Sequence, residues 1–264
     1  MKLPRHYSGL RISIRFLLAT FLITWPAWWL TAALTSAGII EYSGLIGTAL
    51  HTIGVFGPTI AGLSLIPEGF TLKRGLAFTF GGLRRSLPWT AAFLVVPLVL
   101  LTAASDGLAE GLSPISAMGV FLAALMVSGG NEELGWRAVL EPELERSMPF
   151  SAACLVTGAI WGLWHLPLNL FFYSPDTSLQ SIAAQLVVCV TLGVFFTFAY
   201  EKCGKNIWLP VVLHYLNNSM VLVWTGTADI SNQIISWTDV AISAIMYGVV
   251  FLPFLAAKCY RKNK

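Results

Sequence analysis

The chain has 264 residues, of which 56% are hydrophobic and 11% are charged. Soluble domains carry about a quarter charged residues, so this composition, with a mean hydropathy of +0.73, excludes an ordinary water-soluble fold. The formal net charge is +3, but the basic residues are scattered between apolar stretches and form no patch that would predict a nucleic-acid partner.

The chain contains a succession of apolar stretches. Each is close in length to the ~20 residues that a transmembrane helix needs. They lie at 15–35, 45–66, 87–104, 113–130, 151–172, 180–200, 207–225 and 238–257. The first runs from Phe16 to Leu34, which exceeds the ~7–15 residues of a signal-peptide core, so we expect it to be retained. The sequence therefore predicts an all-α fold, a single polytopic membrane domain over residues 1–264 with about eight transmembrane helices.

The distribution of charge between these stretches predicts the orientation of the chain. With the N-terminus in the cytoplasm, all 16 Lys and Arg residues fall on the cytoplasmic side or in helices that reach it. The positive-inside rule then places both termini in the cytoplasm, and the compact length suits a bacterial inner membrane. The basic segment 68–86 is interpreted as a cytoplasmic loop or interfacial helix. The opposite loops carry only acids: Glu41, Asp106, Glu110, Asp176, Asp229 and Asp239.

A small set of polar residues interrupts the later apolar stretches. Each ionisable group in such a helix costs roughly 2.5–3.5 kcal/mol on insertion scales, so these residues are expected to face the interior and to serve a function. The acids at 141, 143 and 145 are interpreted instead as a solvated helix end. The interior set is Glu132, Glu133, Arg137, His165, His214 and Asn218.

Spacing predicts that these residues share one site. If the fourth helix continues past Glu132 to Arg146 and turns at 147–149, Glu132 and His165 lie equally far from the turn, at about 20–25 Å along their helices. Residues four apart share a helix face, so Glu133 and Arg137 are expected to form an ion pair. His214 and Asn218 likewise present an imidazole and a carboxamide to one space.

At these positions the sequence resembles the CAAX protease and bacteriocin-processing family, also called Abi, which includes the type II CAAX prenyl endopeptidases. The family patterns are EExxxR, [FW]xxxH and Hxxx[ND]. In this chain they are Glu132-Glu133 to Arg137, Trp161 to His165, and His214 to Asn218. The resemblance covers residues 113–222. It implies an all-helical intramembrane endopeptidase whose eukaryotic relatives act on prenylated CAAX proteins, whereas many bacterial relatives look like immunity or peptide-maturation proteins.

The residue types suit peptide hydrolysis by an activated water. Glu132 is the expected general base, with His165 holding the water and protonating the leaving group. His214 and Asn218 are the expected oxyanion donors. Glu133 and Arg137 are expected to support the site by fixing the helix and keeping a positive charge near the base.

Two further interpretations remain open at the level of sequence. Glu132, His165 and His214 can also bind zinc with an open water position, which would make the chain a metalloprotease, although the HExxH spacing is absent. The function can also be of another class: a non-catalytic membrane immunity or scaffold protein, or a cation- or proton-coupled transporter. The expected partners are a peptide or prenylated-protein substrate and the lipid bilayer.

Overall fold

The computed structural model describes residues 5–66, 69–104, 113, 116, 129–225 and 232–261. Within these ranges the chain is built from helices and turns without strands, as predicted. The main helices are α1 (Arg5–Ser36), α2 (Leu45–Val55), α3 (Gly57–Ser64), α4 (Leu72–Phe80), α5 (Leu83–Ala104), α6 (Phe150–Trp164), α7 (Ser178–Lys202), α8 (Trp208–Thr225) and α9 (Trp237–Phe251).

Five stretches of the described residues are long and apolar enough to cross a membrane, which confirms a multi-pass membrane protein. They are Gly9–Ser36, Leu45–Ser64, Phe150–Tyr173, Pro175–Lys202 and Trp237–Ala256. The predicted spans at 87–104 and 207–225 fall within α5 and α8. The predicted span at 113–130 lies almost entirely outside the described residues. The count of eight spans and the cytoplasmic location of both termini stay predictions.

Helices α1 and α2 pack closely through the indole of Trp28. Its Nε1 donates a hydrogen bond to the carbonyl of His51 at 3.0 Å. A Cβ atom on Gly54 would lie 2.1 Å from this nitrogen, so only glycine permits the approach. The indole is also stacked with the rings of His51 and His165, with ring centroids 5.8 and 6.3 Å away. The first two helices therefore support a predicted site residue.

The segment that carries Glu132 and Glu133 is a succession of short helices of different pitch. It consists of a 3₁₀ turn (Gly130–Glu132), an α-turn (Glu133–Gly135), a π-helix (Trp136–Leu140) and a final α-helix (Glu141–Glu145). Gly129, which precedes it, has φ +89°, a left-handed conformation that ends any right-handed helix arriving from before. The prediction of one helix running on past Glu132 is therefore wrong, while the turn before α6 lies where it was predicted.

Helices α6 and α7 form the closest helix pair around the site. Cβ atoms on Gly158 and Gly162 would lie 2.7 and 3.0 Å from the backbone of α7, at Val190 and Leu186. Small residues at such a contact let two backbones approach, which is the usual basis of helix packing in membranes. Helix α6 then ends at His165, because Pro167 in the following turn lacks an N–H for a continuous helix.

The basic segment 68–86 contains α4 and the start of α5, so it is helical in large part. It is tied to the turn before α8 by Asn206, whose Nδ2 donates to the carbonyl of Gly81 at 2.7 Å. Ser86 donates its hydroxyl hydrogen to Oδ1 of the same asparagine at 3.0 Å. These bonds fix the entry of α8, the helix that carries His214.

Candidate active site

The carboxylate of Glu132 is buried and held by two tryptophans. Only 2% of the surface of Glu132 is exposed to solvent. Oε2 accepts a hydrogen bond from Nε1 of Trp161 at 2.8 Å and a longer one from Nε1 of Trp136 at 3.3 Å. Since an indole N–H only donates, these bonds orient the carboxylate without neutralising it. The site thus holds a carboxylate in a fixed orientation inside an apolar bundle.

His214 lies beside Gly129, as does Oε1, the second carboxylate oxygen of Glu132. The position that a Cβ atom on Gly129 would take lies 2.6 Å from Oε1 of Glu132 and 2.8 Å from Nε2 of His214. Both distances are too short for a carbon atom, so the two atoms pack directly against the backbone of Gly129. A carboxylate oxygen and an imidazole nitrogen therefore converge on one point.

His165 lies at the end of α6 with its ring oriented by Trp161. Its Nδ1 is 2.9 Å from the carbonyl oxygen of Trp161, which can only accept, so Nδ1 carries the proton and Nε2 of the neutral ring is an acceptor. Asn169 donates from Nδ2 to the carbonyl of His165 at 3.1 Å and accepts a hydrogen bond from Ser181 of α7. The break in the helix after His165 is thereby fixed to the neighbouring helix.

Trp161 is the residue that brings the predicted site together. Its indole N–H binds Glu132 and its carbonyl binds His165. Its ring lies edge-on to that of His214, with centroids 5.2 Å apart. In the sequence Trp161 is only the first residue of the [FW]xxxH pattern, whereas in the structure it contacts Glu132, His165 and His214.

Glu133 joins His214 to Arg137. Its Oε1 accepts a hydrogen bond from Nδ1 of His214 at 2.8 Å, and its Oε2 accepts one from Nε of Arg137 at 2.9 Å. The predicted ion pair is therefore present, with both side chains fully buried. The bond to His214 was not predicted from sequence, and it leaves Nε2 of the imidazole directed at the backbone of Gly129.

Glu141 corrects the interpretation of the acidic run as a solvated helix end. It is buried, and its Oε2 accepts hydrogen bonds from Nη1 of Arg137 at 2.9 Å and from the hydroxyl of Thr197 at 2.7 Å. Glu143 is also partly buried, and burial raises the pKa of its carboxyl in spite of the nearby Arg146 guanidinium. Glu133 and Glu141 therefore share the Arg137 guanidinium, and this pairing lowers the free-energy cost of burying the three charges.

Arg137 is further enclosed by α6 and α7. Its guanidinium carbon lies 5.6 Å from the centroid of the Trp161 ring, within the range of a cation–π contact. A Cβ atom on Gly193 would be 3.2 Å from its Nη2, so α7 passes directly over the group. The positive charge is therefore held out of contact with solvent.

Asn218 lies one turn after His214 on α8 but differs from the other candidates in exposure. Its side chain is exposed, and its Oδ1 accepts a hydrogen bond from Nδ2 of Asn217 at 2.8 Å. The four-residue interval still places it on the side of the helix that carries His214. Its part in the site stays a prediction.

The donor set does not fit a zinc site as it lies. Over the described ranges, no three His, Cys, Asp or Glu residues form a group that could hold a metal ion. In addition, Oε2 of Glu132 is occupied by the two indoles. The zinc alternative with Glu132, His165 and His214 therefore stays a prediction, and no step below passes through a metal.

Comparison with known families adds a separate line of support. Residues 114–220 match the family described as type II CAAX prenyl endopeptidase Rce1-like. The family resemblance is confirmed. All the motif residues, from Glu132 to Asn218, lie inside this Rce1-like region.

A curated relative extends the similarity beyond the Rce1-like region. The CAAX prenyl protease 2 of Methanococcus maripaludis is 26% identical over 225 residues, which covers 77% of this chain and 81% of the relative. At the level of the family, the Rce1-like region supports the function of an intramembrane protease, a hydrolase.

Proposed function

We propose that this chain is an intramembrane endopeptidase that hydrolyses a peptide bond with a water molecule activated by Glu132. The observation that carries the proposal is the convergence of Oε1 of Glu132 and Nε2 of His214 on one point beside Gly129. Peptide hydrolysis needs a base for the water and a donor for the oxyanion, and these two atoms can supply both.

The first step assigned to the site is removal of a proton from water. Oε2 of Glu132 is held by Trp161 and Trp136, so Oε1, which lies beside Gly129, is the oxygen assigned as the base. Burial makes a carboxylate more basic than it is in water. His165, whose Nε2 is an acceptor, holds the water from a second side.

The second step is attack of the water oxygen on the carbonyl carbon, which places negative charge on the carbonyl oxygen. To donate from Nε2, His214 must carry a proton on both ring nitrogens. Glu133 provides the negative charge beside Nδ1 that such an imidazolium needs. Asn218 provides a neutral donor from the following turn.

Collapse of the tetrahedral intermediate breaks the C–N bond and requires a proton on the leaving nitrogen. The ring proton of His165 is engaged at Nδ1 by the carbonyl of Trp161. The proton that Glu132 took from water is therefore the one that passes to the leaving amine. Arg137, which is itself bound by Glu141, keeps Glu133 in position beside His214.

The substrate is proposed to be a prenylated CAAX protein or a bacterial peptide. The relative from Methanococcus maripaludis is named a CAAX prenyl protease, which makes a farnesylated CAAX peptide the first substrate to test. Peptidomic mass spectrometry of membranes from cells with wild-type or Glu132→Ala protein extends the search to substrates of other sequence.

The test is hydrolysis by the purified protein in proteoliposomes, with a fluorogenic farnesylated CAAX peptide and with the peptides found in membranes. Glu132→Gln keeps the shape of the side chain but removes the base, and we expect kcat to fall roughly 100- to 10,000-fold. The control variant Glu145→Gln makes the same chemical change at a residue that takes part in none of the described site contacts. It should retain wild-type activity. A folded Glu132→Gln protein with undiminished hydrolysis would refute the role of Glu132, whereas absence of hydrolysis by the folded wild-type protein would favour a scaffold or transporter.

A further inference from the structure

Helix α4 carries an exposed apolar stripe, which consists of Leu72, Leu76 and Phe80. These residues are spaced four apart, so they share one face of the helix. They are 72%, 50% and 46% exposed. The nine residues of α4 extend over about 14 Å, which is too short to cross a bilayer. A short helix with an apolar face and basic residues beside it, here Lys73 and Arg74, is typical of a helix that lies in the membrane interface.

Two turns of the chain meet at the end of this apolar stripe. Asn206, in the turn between α7 and α8, donates from Nδ2 to the carbonyl of Gly81, in the turn between α4 and α5, at 2.7 Å. The ring of Phe80 is stacked on that of Trp208 at the start of α8, with centroids 5.5 Å apart. The apolar stripe and the two turns therefore form one continuous surface.

Exposed basic residues border both turns, and we call this group the basic surface. It consists of Arg84, Arg85, Lys202 and Lys205. A Cβ atom on Gly204 would lie 2.6 Å from Cβ of Arg85, so the arginine that follows one turn packs against the other turn. Nζ of Lys205 is 2.8 Å from Oε1 of Glu201, the only acid within residues 79–86 and 200–208. The other three basic residues form no ion pair with any residue that the structure describes, so an excess of positive charge remains.

We propose that the apolar stripe and the basic surface together bind acidic phospholipids. The headgroup phosphates lie on the basic residues and the acyl chains lie against α4. This interaction goes beyond peptide hydrolysis and does not depend on it.

The position of the basic surface favours a lipid over other anions. Arg84 and Arg85 come just before the predicted span 87–104, and Lys202 ends the apolar stretch Pro175–Lys202. The basic residues therefore lie at the depth of the headgroups. A free phosphate would neutralise the charge but leave the apolar stripe in water, whereas a phospholipid covers both. The positive-inside rule explains basic residues on one side of a membrane, but not the joining of two turns by Asn206 beside an exposed apolar stripe.

The first measurement is native mass spectrometry of the purified protein in detergent with equal amounts of phosphatidylglycerol and phosphatidylcholine of the same chain length. Wild-type protein should bind phosphatidylglycerol in preference. The double variant Arg84→Gln, Arg85→Gln should lower this preference roughly 10- to 25-fold, because each basic residue at an anionic surface contributes roughly fivefold. Both arginines are exposed, so the variant should remain folded and monodisperse.

A matched control removes the same charge elsewhere. Arg11 and Arg15 are exposed on α1 and belong to neither turn. The double variant Arg11→Gln, Arg15→Gln should keep the lipid preference of the wild type. Equal losses in the two double variants would overturn the inference, because attraction would then follow net charge alone. Wild-type protein that binds both lipids equally would overturn it as well.

The second measurement locates the apolar stripe in vesicles of phosphatidylglycerol. A spin label on Leu76→Cys, in a background without the native cysteines, should collide with oxygen dissolved in lipid more than with a water-soluble nickel chelate. A label on Asp176→Cys, exposed in the turn before α7, is the reference for a side chain in water. A Leu76 label that meets nickel as readily as this reference would overturn the inference. A Leu76 label shielded from both probes would also overturn it, since a protein would then cover the stripe.

Discussion

Nε1 of Trp161 donates a hydrogen bond to Oε2 of Glu132 across 2.8 Å, although the two residues are 29 positions apart in sequence. The bond joins the two arms of the hairpin that turns before α6. It also leaves the second carboxylate oxygen beside Gly129. Orientation of the proposed base therefore depends on a tryptophan that takes no proton itself.

Trp161→Phe should lower kcat with little change in KM, because it removes this hydrogen bond and retains an aromatic ring beside His214. A hydrogen bond to a charged group contributes about 1.5–3 kcal/mol, which corresponds to roughly 10- to 100-fold in rate. The measurement is steady-state hydrolysis in proteoliposomes. Trp136→Phe, which removes the longer bond at 3.3 Å, should have the smaller effect, and the reverse order would contradict the role given to Trp161.

Glu141→Gln should destabilise the protein, because Arg137 would lose one of its two carboxylate partners in a site without solvent. We expect a loss of about 1–3 kcal/mol in the free energy of unfolding, measured by thermal or denaturant unfolding in detergent. Glu145→Gln, four residues later, should change stability by less than about 0.5 kcal/mol. Equal stability of the two variants would return Glu141 to the solvated helix end predicted from sequence.

Asn218→Ala tests the proposed oxyanion donor. Removing one such donor typically lowers kcat by roughly 100- to 1,000-fold with a smaller effect on KM. Asn217→Ala removes the neighbour that donates to Oδ1 of Asn218 and should cause a smaller loss. If Asn218→Ala hydrolyses substrate like the wild type, His214 alone would have to stabilise the oxyanion.

Metal removal separates the glutamate mechanism from the zinc alternative. We expect purified protein treated with EDTA and 1,10-phenanthroline to keep its activity, since the described side chains form no group suited to a metal ion. Metal content is measured on the same sample by plasma mass spectrometry. Loss of activity on chelation, with recovery on added zinc, would establish the metalloprotease interpretation instead.

Orientation in the membrane is tested by labelling single cysteines in a background from which Cys154, Cys189, Cys203 and Cys259 have been removed. Lys73→Cys, at an exposed position of α4, should react with an impermeant maleimide only in inverted vesicles. Asp176→Cys, exposed between α6 and α7, should react only in right-side-out spheroplasts. The opposite pattern would reverse the topology derived from the positive-inside rule.

Much of the fold could be predicted from hydropathy, because a helix that crosses a membrane requires an apolar stretch of defined length. The association of Glu132, His165 and His214 could be predicted for a related reason. A charge or imidazole in such a stretch is costly, so residues of this kind on successive helices are expected to face one another.

The contacts that orient these groups could not be predicted from spacing. The acidic residues at 141, 143 and 145 alternate as in a solvated surface, and only the three-dimensional packing of Thr197 and Arg137 shows that Glu141 is buried. Gly129 and Trp136 likewise lack a distinctive pattern, because the signal is a backbone angle in one case and a ring orientation in the other.

The π-helix at Trp136–Leu140 sets how the chain between the two acids bound to Arg137 can vary in length. A π-turn holds one residue more than a regular α-turn, so deleting one residue within it, such as Ala138, would restore regular α-helical pitch and leave Glu133 and Glu141 on one face. An additional residue would have no such turn to accommodate it and would rotate one acid by about 100° relative to the other. One guanidinium could then no longer meet both acids, so proteins that share this arrangement should tolerate the loss of one residue here better than an insertion.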